Sequence, residues 1–413
     1  MIGLVVNPFA GVGGPAGLAG SDGADVQALA ASRGARARVQ ERTTAALQVL
    51  AARHPAAVVL TAAGPMGADA VTAAGLEARV AWTPASGAIR SPSEPSPNAG
   101  GSPSTGRFRL DRPVPGESPV LNDRPTEAAD TSAAVAAVAA AGATLILVAG
   151  GDGTLRDAAA GLAEDGMPAV LGIPSGVKMY SPVFAVSPRA AGALAAEWLG
   201  GGLPTAEREV LDIDEAAMRH ARVDPVLFAM LRVPVRLGRT QSRKSATPSS
   251  EAAAVEAAAR GAVRRMLSGV RYLLGPGSTT AEVARQLGVH KSPLGVDVIL
   301  DGHQVIASAS EQQLLDEVAK GPAQAVVTVI GGQGFLLGRG NQQLSASVIR
   351  ALGDDPLMVV APEQKLIDLR GRPLIVETGD AEIDARLSGH ARIVTGAGTT
   401  SLYAVAAPDL QPA

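Results

Sequence analysis

The sequence predicts a protein of the α/β class. Short apolar runs in its first half alternate with segments of helical periodicity, which is typical of βαβ units and a parallel sheet. Several of these runs end in glycine-rich turns, as strands do at the ligand-binding edge of such a sheet. The 413 residues are enough for two domains. We therefore expect an N-terminal Rossmann-like parallel-sheet domain at residues 1–202 and a second, strand-rich α+β domain at residues 203–413.

Composition and charge exclude several classes of protein. The chain is 46% hydrophobic and 18% charged, which is ordinary for a globular protein. Its net charge of −3 provides no basic field, so we expect no nucleic-acid partner. The absence of cysteine excludes disulfides, thiolate metal sites and a cysteine nucleophile. The sequence has neither a signal-peptide pattern nor an apolar run of membrane-spanning length, which predicts a cytoplasmic protein with no membrane partner.

The N-terminal sheet is predicted from five short apolar runs. They lie at residues 2–6, 57–61, 78–82, 143–149 and 168–173. Helical patterns predict helices at residues 25–34, 43–53, 71–76, 131–141, 155–163 and 189–199. Ser187 is the expected N-cap of the last helix, with Pro188 at its first position. Three glycines at 200–202 end that helix and mark the expected domain boundary.

Residues 84–125 differ in character from the rest of the first half. Nine of the 29 prolines fall there, with many serines and glycines and almost no apolar periodicity. Such a composition does not bury enough apolar surface to offset the entropy of ordering the chain. We therefore predict a disordered insert, and a passive linker is favoured over a partner-binding segment.

The second half is predicted to be rich in strands. They lie at residues 208–214, 227–235, 295–300, 304–307, 325–330, 357–360, 374–377 and 391–395. Two helices are predicted at residues 251–267 and 281–287. Asp301 and Gly302 predict a hairpin turn between the strands at 295–300 and 304–307.

The turn Gly150-Gly151-Asp152-Gly153-Thr154 joins a predicted buried strand to a helix. Glycines allow the chain to turn sharply and a ligand to approach the backbone closely. The helix that follows directs its N–H groups and the positive end of its dipole at the turn, which suits a phosphate group. The simpler alternative is a glycine-rich connection in which Asp152 only caps the helix. A carboxylate framed by three glycines and followed by threonine is more specific, and it favours a phosphate-binding turn.

Four further loops carry the same kinds of residue; three follow predicted strands, and the fourth, at 275–280, follows the apolar residues 273–274. Their candidate nucleotide contacts are Asn7, Gly11, Gly13, Ser175, Gly176, Lys178, Gly277, Ser278, Thr279, Thr280, Gly332, Gly334, Arg339 and Asn341. Each loop alone is weak evidence of function, but several such loops in one chain are harder to explain by chance. Lys178 is the only lysine among the first 243 residues. A phosphate contact and an ordinary surface position are equally good interpretations of it.

These motifs resemble one family of enzymes. MIGLVVNP at 1–8, GGDGT at 150–154, GIPSGVKM at 172–179, GPGSTT at 275–280 and GGQGF at 331–335 are similar to segments of the ATP-NAD kinase family. Within that family the chain is most similar to the acetoin-catabolism protein X type branch. The resemblance covers most of the chain except residues 85–125. It implies phosphoryl transfer from ATP to a ribose hydroxyl of NAD, assisted by Mg²⁺.

The resemblance also implies roles for individual residues. Asp152 would be the catalytic residue that orients or deprotonates the acceptor hydroxyl, and Gly150, Gly151, Gly153 and Thr154 would contact phosphate or ribose. The expected partners are therefore small-molecule nucleotides.

The metal ligands are left unknown: Asp212 and Asp214 could help hold a cation, but an ordinary solvated strand face is the favoured interpretation. The oligomeric state is left open, a homo-oligomer included.

Two alternatives to NAD phosphorylation stay open at this point. NAD kinases carry an Asn-Glu or Asn-Asp pair after the glycine turn, and this sequence has no counterpart that we can place. A kinase for another small hydroxylated metabolite is therefore the first alternative. The second is a nucleotide-binding regulator without catalysis.

Overall fold

A computed structural model describes most of the chain. The described residues are 1–18, 24–84, 126–162, 168–176, 179–213, 225–236, 252–330 and 332–410. The predicted insert at 84–125 lies outside them apart from residue 84, and Lys178 and Asp214 also lie outside them.

The first sheet contains five strands. They are β1 (Ile2–Val6), β2 (Val58–Ala62), β3 (Glu77–Trp82), β4 (Leu145–Gly150) and β5 (Ala169–Pro174). Their order is β3-β2-β1-β4-β5, and all neighbours are parallel. Every residue of β1, β4 and β5 is buried, as expected for strands covered on both faces. The order reverses between β1 and β4, and ligands bind at such a switch point in open α/β sheets.

Within the described ranges, six helices accompany this sheet. They are α1 (Ala24–Ser32), α2 (Val39–Arg53), α3 (Ala68–Ala73), α4 (Ala128–Ala140), α5 (Asp152–Ala160) and α6 (Pro188–Leu199). Helix α2 packs against α3 and α6, whereas α4 packs against α5, so the sheet is sandwiched between two helical layers. The predicted cap of α6 is confirmed, because the Ser187 hydroxyl accepts a hydrogen bond from the N–H of Ala190.

An antiparallel ribbon follows the first sheet. It consists of β6 (Thr205–Ile213) and β7 (Pro225–Pro234). The sequence analysis assigned both strands to the C-terminal domain, but Val210, Leu231 and Val233 are buried in the core of the first sheet. The ribbon therefore packs with the N-terminal half of the chain.

The second sheet contains eight strands. They are β8 (Arg271–Leu274), β9 (Asp297–Leu300), β10 (His303–Ile306), β11 (Ala323–Val327), β12 (Leu357–Val360), β13 (Leu374–Ile375), β14 (Gly389–Val394) and β15 (Thr400–Ala406). Their order is β10-β9-β8-β11-β12-β14-β15-β13. The four central strands β8, β11, β12 and β14 are parallel. Strands β9 and β10 join one side through antiparallel pairs, and β15 pairs antiparallel with β14 and parallel with the edge strand β13. The predicted α/β class with a strand-rich second half is confirmed.

In the part of the second half that the structure describes, six helices cover the second sheet. They are α7 (Ala252–Val263), α8 (Ser278–Leu287), α9 (Glu311–Val318), α10 (Ala346–Ala351), α11 (Glu363–Ile367) and α12 (Ala381–Leu387). The sequence analysis missed the last four, which have only five to eight residues and show little periodicity. Helix α9 did carry a local signal, the capping box between Ser310 and Gln313. The predicted turn at Asp301 and Gly302 is confirmed by their φ angles of 49° and 75°.

One aromatic side chain of the second half packs into the core of the first. The aromatic ring of Phe335, from the segment between β11 and β12, is fully buried in the hydrophobic core of the first sheet.

Among the described residues, no helix has both the length and the apolar character needed to span a membrane.

Candidate active site

Three loops meet at the carboxyl edge of the first sheet. Asn7 follows β1, the 150–154 turn joins β4 to α5, and the segment at 175–176 follows β5. The Asn7 amide nitrogen donates a hydrogen bond of 3.2 Å to the Thr154 hydroxyl. Its amide oxygen accepts one of 3.1 Å from the N–H of Phe9. Asn7 therefore fixes the start of α5 to the loop after β1.

The glycines of these loops pack backbone against backbone. The N–H groups of Ser175 and Gly176 donate to the Gly150 carbonyl at 3.0 and 2.9 Å. A Cβ on Gly176 would lie 2.3 Å from the Cα of Gly151. A Cβ on Gly11, whose φ angle is 79°, would lie 2.1 Å from the Ser175 carbonyl oxygen. The loops thus require glycine for close packing, and the N–H groups of 175 and 176 already have a partner.

Two other predicted residues of this edge have local roles. The carbonyl of Gly13 accepts a hydrogen bond of 2.9 Å from the N–H of Leu18. The first intrahelical bond of α5 runs from the N–H of Leu155 to the Gly151 carbonyl at 3.0 Å. The N–H groups of Gly153 and Thr154 precede that bond, so they belong to the helix start that suits an anion.

Asp152 is the first residue of α5 and is 3% exposed. Its carboxylate accepts hydrogen bonds from the N–H of Tyr180 at 2.6 Å and of Ser181 at 3.0 Å. The Ser181 hydroxyl in turn accepts a bond of 2.9 Å from the N–H of Leu211. Asp152 therefore connects the start of α5 to the segment after β5, a role that sequence analysis did not anticipate.

A cleft lies between the two halves of the chain, beside these loops. We call it the central cleft; it is lined by Gly11, Pro15, Arg38, Arg42, Pro174, Ser175, Gly176, Met179, Glu311, Gly338, Gln342, Leu344, Ser345, Glu377 and Thr378. Its cavity volume is about 60 Å³. Gly11, Ser175 and Gly176 are the predicted site residues among this lining, and the 150–154 turn lies directly behind Gly176.

Several polar contacts hold the walls of the central cleft together. The Arg42 guanidinium donates to the Glu377 carboxylate at 2.6 Å and to the Pro174 carbonyl at 2.6 Å. The Gln342 amide donates to the Gly176 carbonyl at 3.1 Å. Sequence analysis missed Arg42 because the predicted helix at 43–53 began too late to include it, and Glu377 was assigned only to a strand.

Arg339 occupies a buried position rather than the cleft surface. It is 2% exposed, its guanidinium lies 3.2 Å from the Glu377 carboxylate, and it donates to the Val186 carbonyl at 2.8 Å. The guanidinium also lies 4.4 Å from the centre of the Phe335 ring. Burial lowers the pKa of Arg339 to about 10, although the charge of Glu377 acts in the opposite direction.

Hydrogen bonds within the 332–343 loop fix its conformation. The Asn341 side chain accepts from the N–H of Gly338 at 3.1 Å and donates to the Leu336 carbonyl at 2.7 Å. Gly332 and Gly334 have φ angles of 77° and 82°, which favour glycine. These contacts give the loop a structural function that does not require a ligand.

The glycine-hydroxyl segment at 277–280 lies at the carboxyl edge of the second sheet. Gly277, with φ of 130°, precedes α8, and Ser278 is its exposed first residue. The buried hydroxyl of Thr280 donates to the Gly277 carbonyl at 2.9 Å, and that of Thr279 accepts from Lys365 at 3.2 Å. None of these four predicted contacts is among the residues that line the central cleft as described above.

The described residues do not form an evident Mg²⁺ site. Within the described ranges, no cluster of three or more histidine, cysteine, aspartate or glutamate side chains has metal-binding geometry. Both carboxylate oxygens of Asp152 already accept backbone N–H groups. A directly bound Mg²⁺ would compete with those bonds, so the described side chains supply no ready ligand set, and Mg²⁺ would be held mainly by the phosphates of the nucleotide.

Comparison with known proteins identifies the family. The sequence model of the ATP-NAD kinase N-terminal domain matches residues 2–202, and that of the ATP-NAD kinase C-terminal domain matches residues 267–405. No curated protein and no solved structure gave a significant match. The two matched segments cover most of the chain, follow one another in order and contain the glycine turns on which the resemblance depends. The chain therefore belongs to the ATP-NAD kinase family.

Proposed function

We propose that the protein transfers the terminal phosphoryl group of ATP to a ribose hydroxyl of NAD, giving NADP. The main support is that both domains of the ATP-NAD kinase family occur in one chain. The 150–154 turn, the most specific motif of the sequence, lies behind the wall of the cleft between the two halves. No residue of the turn lines the cleft as described, so the proposal requires the walls to part before the turn can meet a nucleotide bound between the halves.

The proposal gives different tasks to the turn and to the cleft. The N–H groups of Gly153 and Thr154 at the start of α5 would bind donor phosphate, helped by the dipole of the helix. Gly11, Ser175 and Gly176 would bring the backbone close to the bound nucleotides, since they have no large side chains on the cleft wall. Asn7 would support the turn and the loops of the cleft wall by fixing Thr154 to the loop after β1.

Asp152 would act on the acceptor. As the acceptor oxygen forms its bond to the terminal phosphorus, the bond to the oxygen bridging to the next phosphate breaks. The hydroxyl proton leaves the acceptor, and the Asp152 carboxylate would receive it. Its two bonds from the N–H groups of Tyr180 and Ser181 fix the orientation of the carboxylate. The side chain is 3% exposed, so this role requires the acceptor to reach it through an opened cleft.

The decisive experiment is a turnover assay with a screen of acceptors. The purified protein, ATP and Mg²⁺ would be combined with NAD, and formation of NADP would be followed spectroscopically. We expect NADP to accumulate in proportion to ADP. Formation of ADP only with another hydroxylated metabolite would instead support the first alternative. Binding of ATP with no turnover on any acceptor would support the regulator.

A further inference from the structure

The wall of the central cleft formed at α2 carries two arginines that the proposed function does not yet use. Arg38 immediately precedes α2, and Arg42 lies one helical turn further on. Both line the central cleft, beside Ser175 and Gly176. Two guanidinium groups thus stand next to the loops at the carboxyl edge of the first sheet.

The Arg42 guanidinium makes two hydrogen bonds, from two of its three nitrogens. Its Nε donates to the Pro174 carbonyl at 2.6 Å, which fixes the plane of the guanidinium at the end of β5. Its Nη2 donates to the Glu377 carboxylate at 2.6 Å. Among the described residues, the remaining nitrogen, Nη1, has no hydrogen-bond partner. The side chain is 15% exposed and therefore still reachable from the cleft.

Arg38 is held only loosely. Its Nη1 lies 3.4 Å from the Thr378 carbonyl, and its Nε lies 3.5 Å from the Glu41 carboxylate. Both contacts are at the long end of hydrogen-bond distances. The side chain is 43% exposed, so it can turn towards a ligand at little cost.

The partner of Arg42 indicates the chemistry of that ligand. Carboxylate and phosphate groups are both bound by the planar donor fork of arginine. Glu377 reaches Arg42 from the opposite wall and also holds Arg339 at 3.2 Å. If Arg42 left, Glu377 would still be paired, so the exchange would not leave a buried carboxylate alone. The other carboxylate of the lining, Glu311, already accepts a bond of 2.5 Å from the Ser345 hydroxyl.

The size of the central cleft makes such an exchange necessary. Pockets for nucleotide-sized ligands measure roughly 300–1,000 Å³, whereas this cavity measures about 60 Å³. A ligand must therefore move the two walls apart, and the Arg42–Glu377 contact joins those walls directly. A ligand that offers Arg42 a stronger anion can compensate for the loss of that contact.

We propose that Arg38 and Arg42 bind the phosphate groups of the nucleotide, and that Glu377 competes with those phosphates for Arg42. The inference rests on the proposed function for the identity of the ligand as a nucleotide. The cationic subsite itself is independent of the phosphoryl acceptor.

Calorimetric titration with inorganic tripolyphosphate tests the subsite without requiring catalysis. We expect Arg42→Gln to weaken binding by roughly tenfold to a hundredfold, the effect of losing a hydrogen bond to a charged group. Arg38→Gln should weaken it in the same direction but less. Arg53→Gln is the matched control on α2, since Arg53 faces Glu197 at 3.9 Å and does not line the cleft. Its affinity should equal that of the unmodified protein.

Further variants keep the test decisive. Arg42→Lys retains the charge without the fork and should give an intermediate affinity, which also serves if Arg42→Gln fails to fold. Glu377→Gln also removes the buried partner of Arg339, so it is compared only where circular dichroism shows a native fold; there it should bind tripolyphosphate more tightly, because the competing anion is removed. Unchanged affinity in folded Arg38 and Arg42 variants would overturn the proposal, and so would the absence of tripolyphosphate binding by the unmodified protein.

Turnover measured on the same samples separates this inference from the proposed function. Arginine-dependent binding of tripolyphosphate without any turnover would retain the subsite and reject the kinase. Turnover of ATP and NAD with affinities that do not depend on either arginine would retain the kinase and reject the subsite.

Discussion

Arg339 and Glu377 form an ion pair of 3.2 Å in which the side chains are 2% and 1% exposed. Arg339 also donates to the Val186 carbonyl, so the pair joins the second half of the chain to the segment before α6. Removing one member of a buried pair leaves the other without full compensation, which is strongly destabilising. This relationship makes Arg339 a structural residue whose loss should be measurable without any ligand.

Arg339→Met should lower the free energy of unfolding, but by less than the about 3–5 kcal/mol expected for a buried charge left alone, because Arg42 still pairs with Glu377 at 2.6 Å. Denaturant titration followed by circular dichroism would measure this change. The control is Arg350→Gln, which removes an exposed pair with Asp380 and should leave stability nearly unchanged. Equal stabilities of the two variants would show that Arg339 is not a structural residue.

Gly176→Ala should be costly although the side chain added is small. The new Cβ would lie 2.3 Å from the Cα of Gly151, where neither backbone can move easily. We expect a loss of about 1–3 kcal/mol, as for overpacking elsewhere, and a lower turnover because the 150–154 turn is displaced. Gly202→Ala is the control, since nothing lies within 4 Å of the corresponding Cβ. A thermal melt of both variants decides the matter, and matching melting temperatures would contradict the predicted packing.

Asp152→Asn should affect both stability and turnover. An amide has one acceptor oxygen, so its NH₂ group would face the N–H of Tyr180 or Ser181 and cost about 1–3 kcal/mol. If the carboxylate also receives the acceptor proton, turnover should fall roughly 10²–10⁴-fold with little change in KM.

A second variant distinguishes catalysis from positioning at this site. Ser181→Ala removes the hydroxyl that accepts from Leu211 but keeps the N–H that binds Asp152. It should disturb the same segment while leaving the carboxylate in place. Comparable losses of turnover in Asp152→Asn and Ser181→Ala would argue that Asp152 only positions the segment.

Asp409 should make stability depend on pH. Burial raises its pKa from 3.8 to about 6, against the opposing effect of the hydrogen bond from Ser187. The folded protein therefore binds the carboxyl proton of Asp409 more tightly than the unfolded chain does. The stabilising contribution is complete below about pH 4 and is lost as the pH rises through about 6.

Asp409→Asn should remove this dependence while keeping an acceptor for Ser187. The two pKa values differ by about two, which corresponds to about 3 kcal/mol. Because the side chain is only partly buried, we expect a smaller effect than this. The free energy of unfolding of the variant, relative to that of the natural protein, should increase by about 1–3 kcal/mol as the pH rises from 4 to 7. Denaturant titrations at several pH values would measure the difference, and parallel pH profiles would refute the assignment.

The sequence was sufficient to predict the elements with strong local patterns. Apolar runs located all five strands of the first sheet, and Ser187 with Pro188 located the start of α6. Short helices such as α11, with five residues, have too few turns to show a period. The packing of β6 and β7 on the first sheet depends on contacts between distant residues, which no local pattern encodes.

In the candidate site, too, the residues with a local signal could be predicted and those that depend on contacts between distant residues could not. The glycines at 150–154 were found because a tight turn requires them locally. Arg42 and Glu377 were not, because their contact joins residues 335 positions apart. Arg339 was predicted as a phosphate contact from its glycine-rich surroundings, and its burial against Glu377 could not be read from those neighbours.

The burial of Phe335 in the core of the first sheet has a consequence for the unfolding of the chain. A side chain supplied by the second half completes the packing of the first, so neither half can melt without exposing apolar surface in the other. We expect one calorimetric transition rather than two. Limited proteolysis between the halves should accordingly yield an N-terminal fragment that is rapidly digested, whereas a stable fragment would show that the halves fold independently.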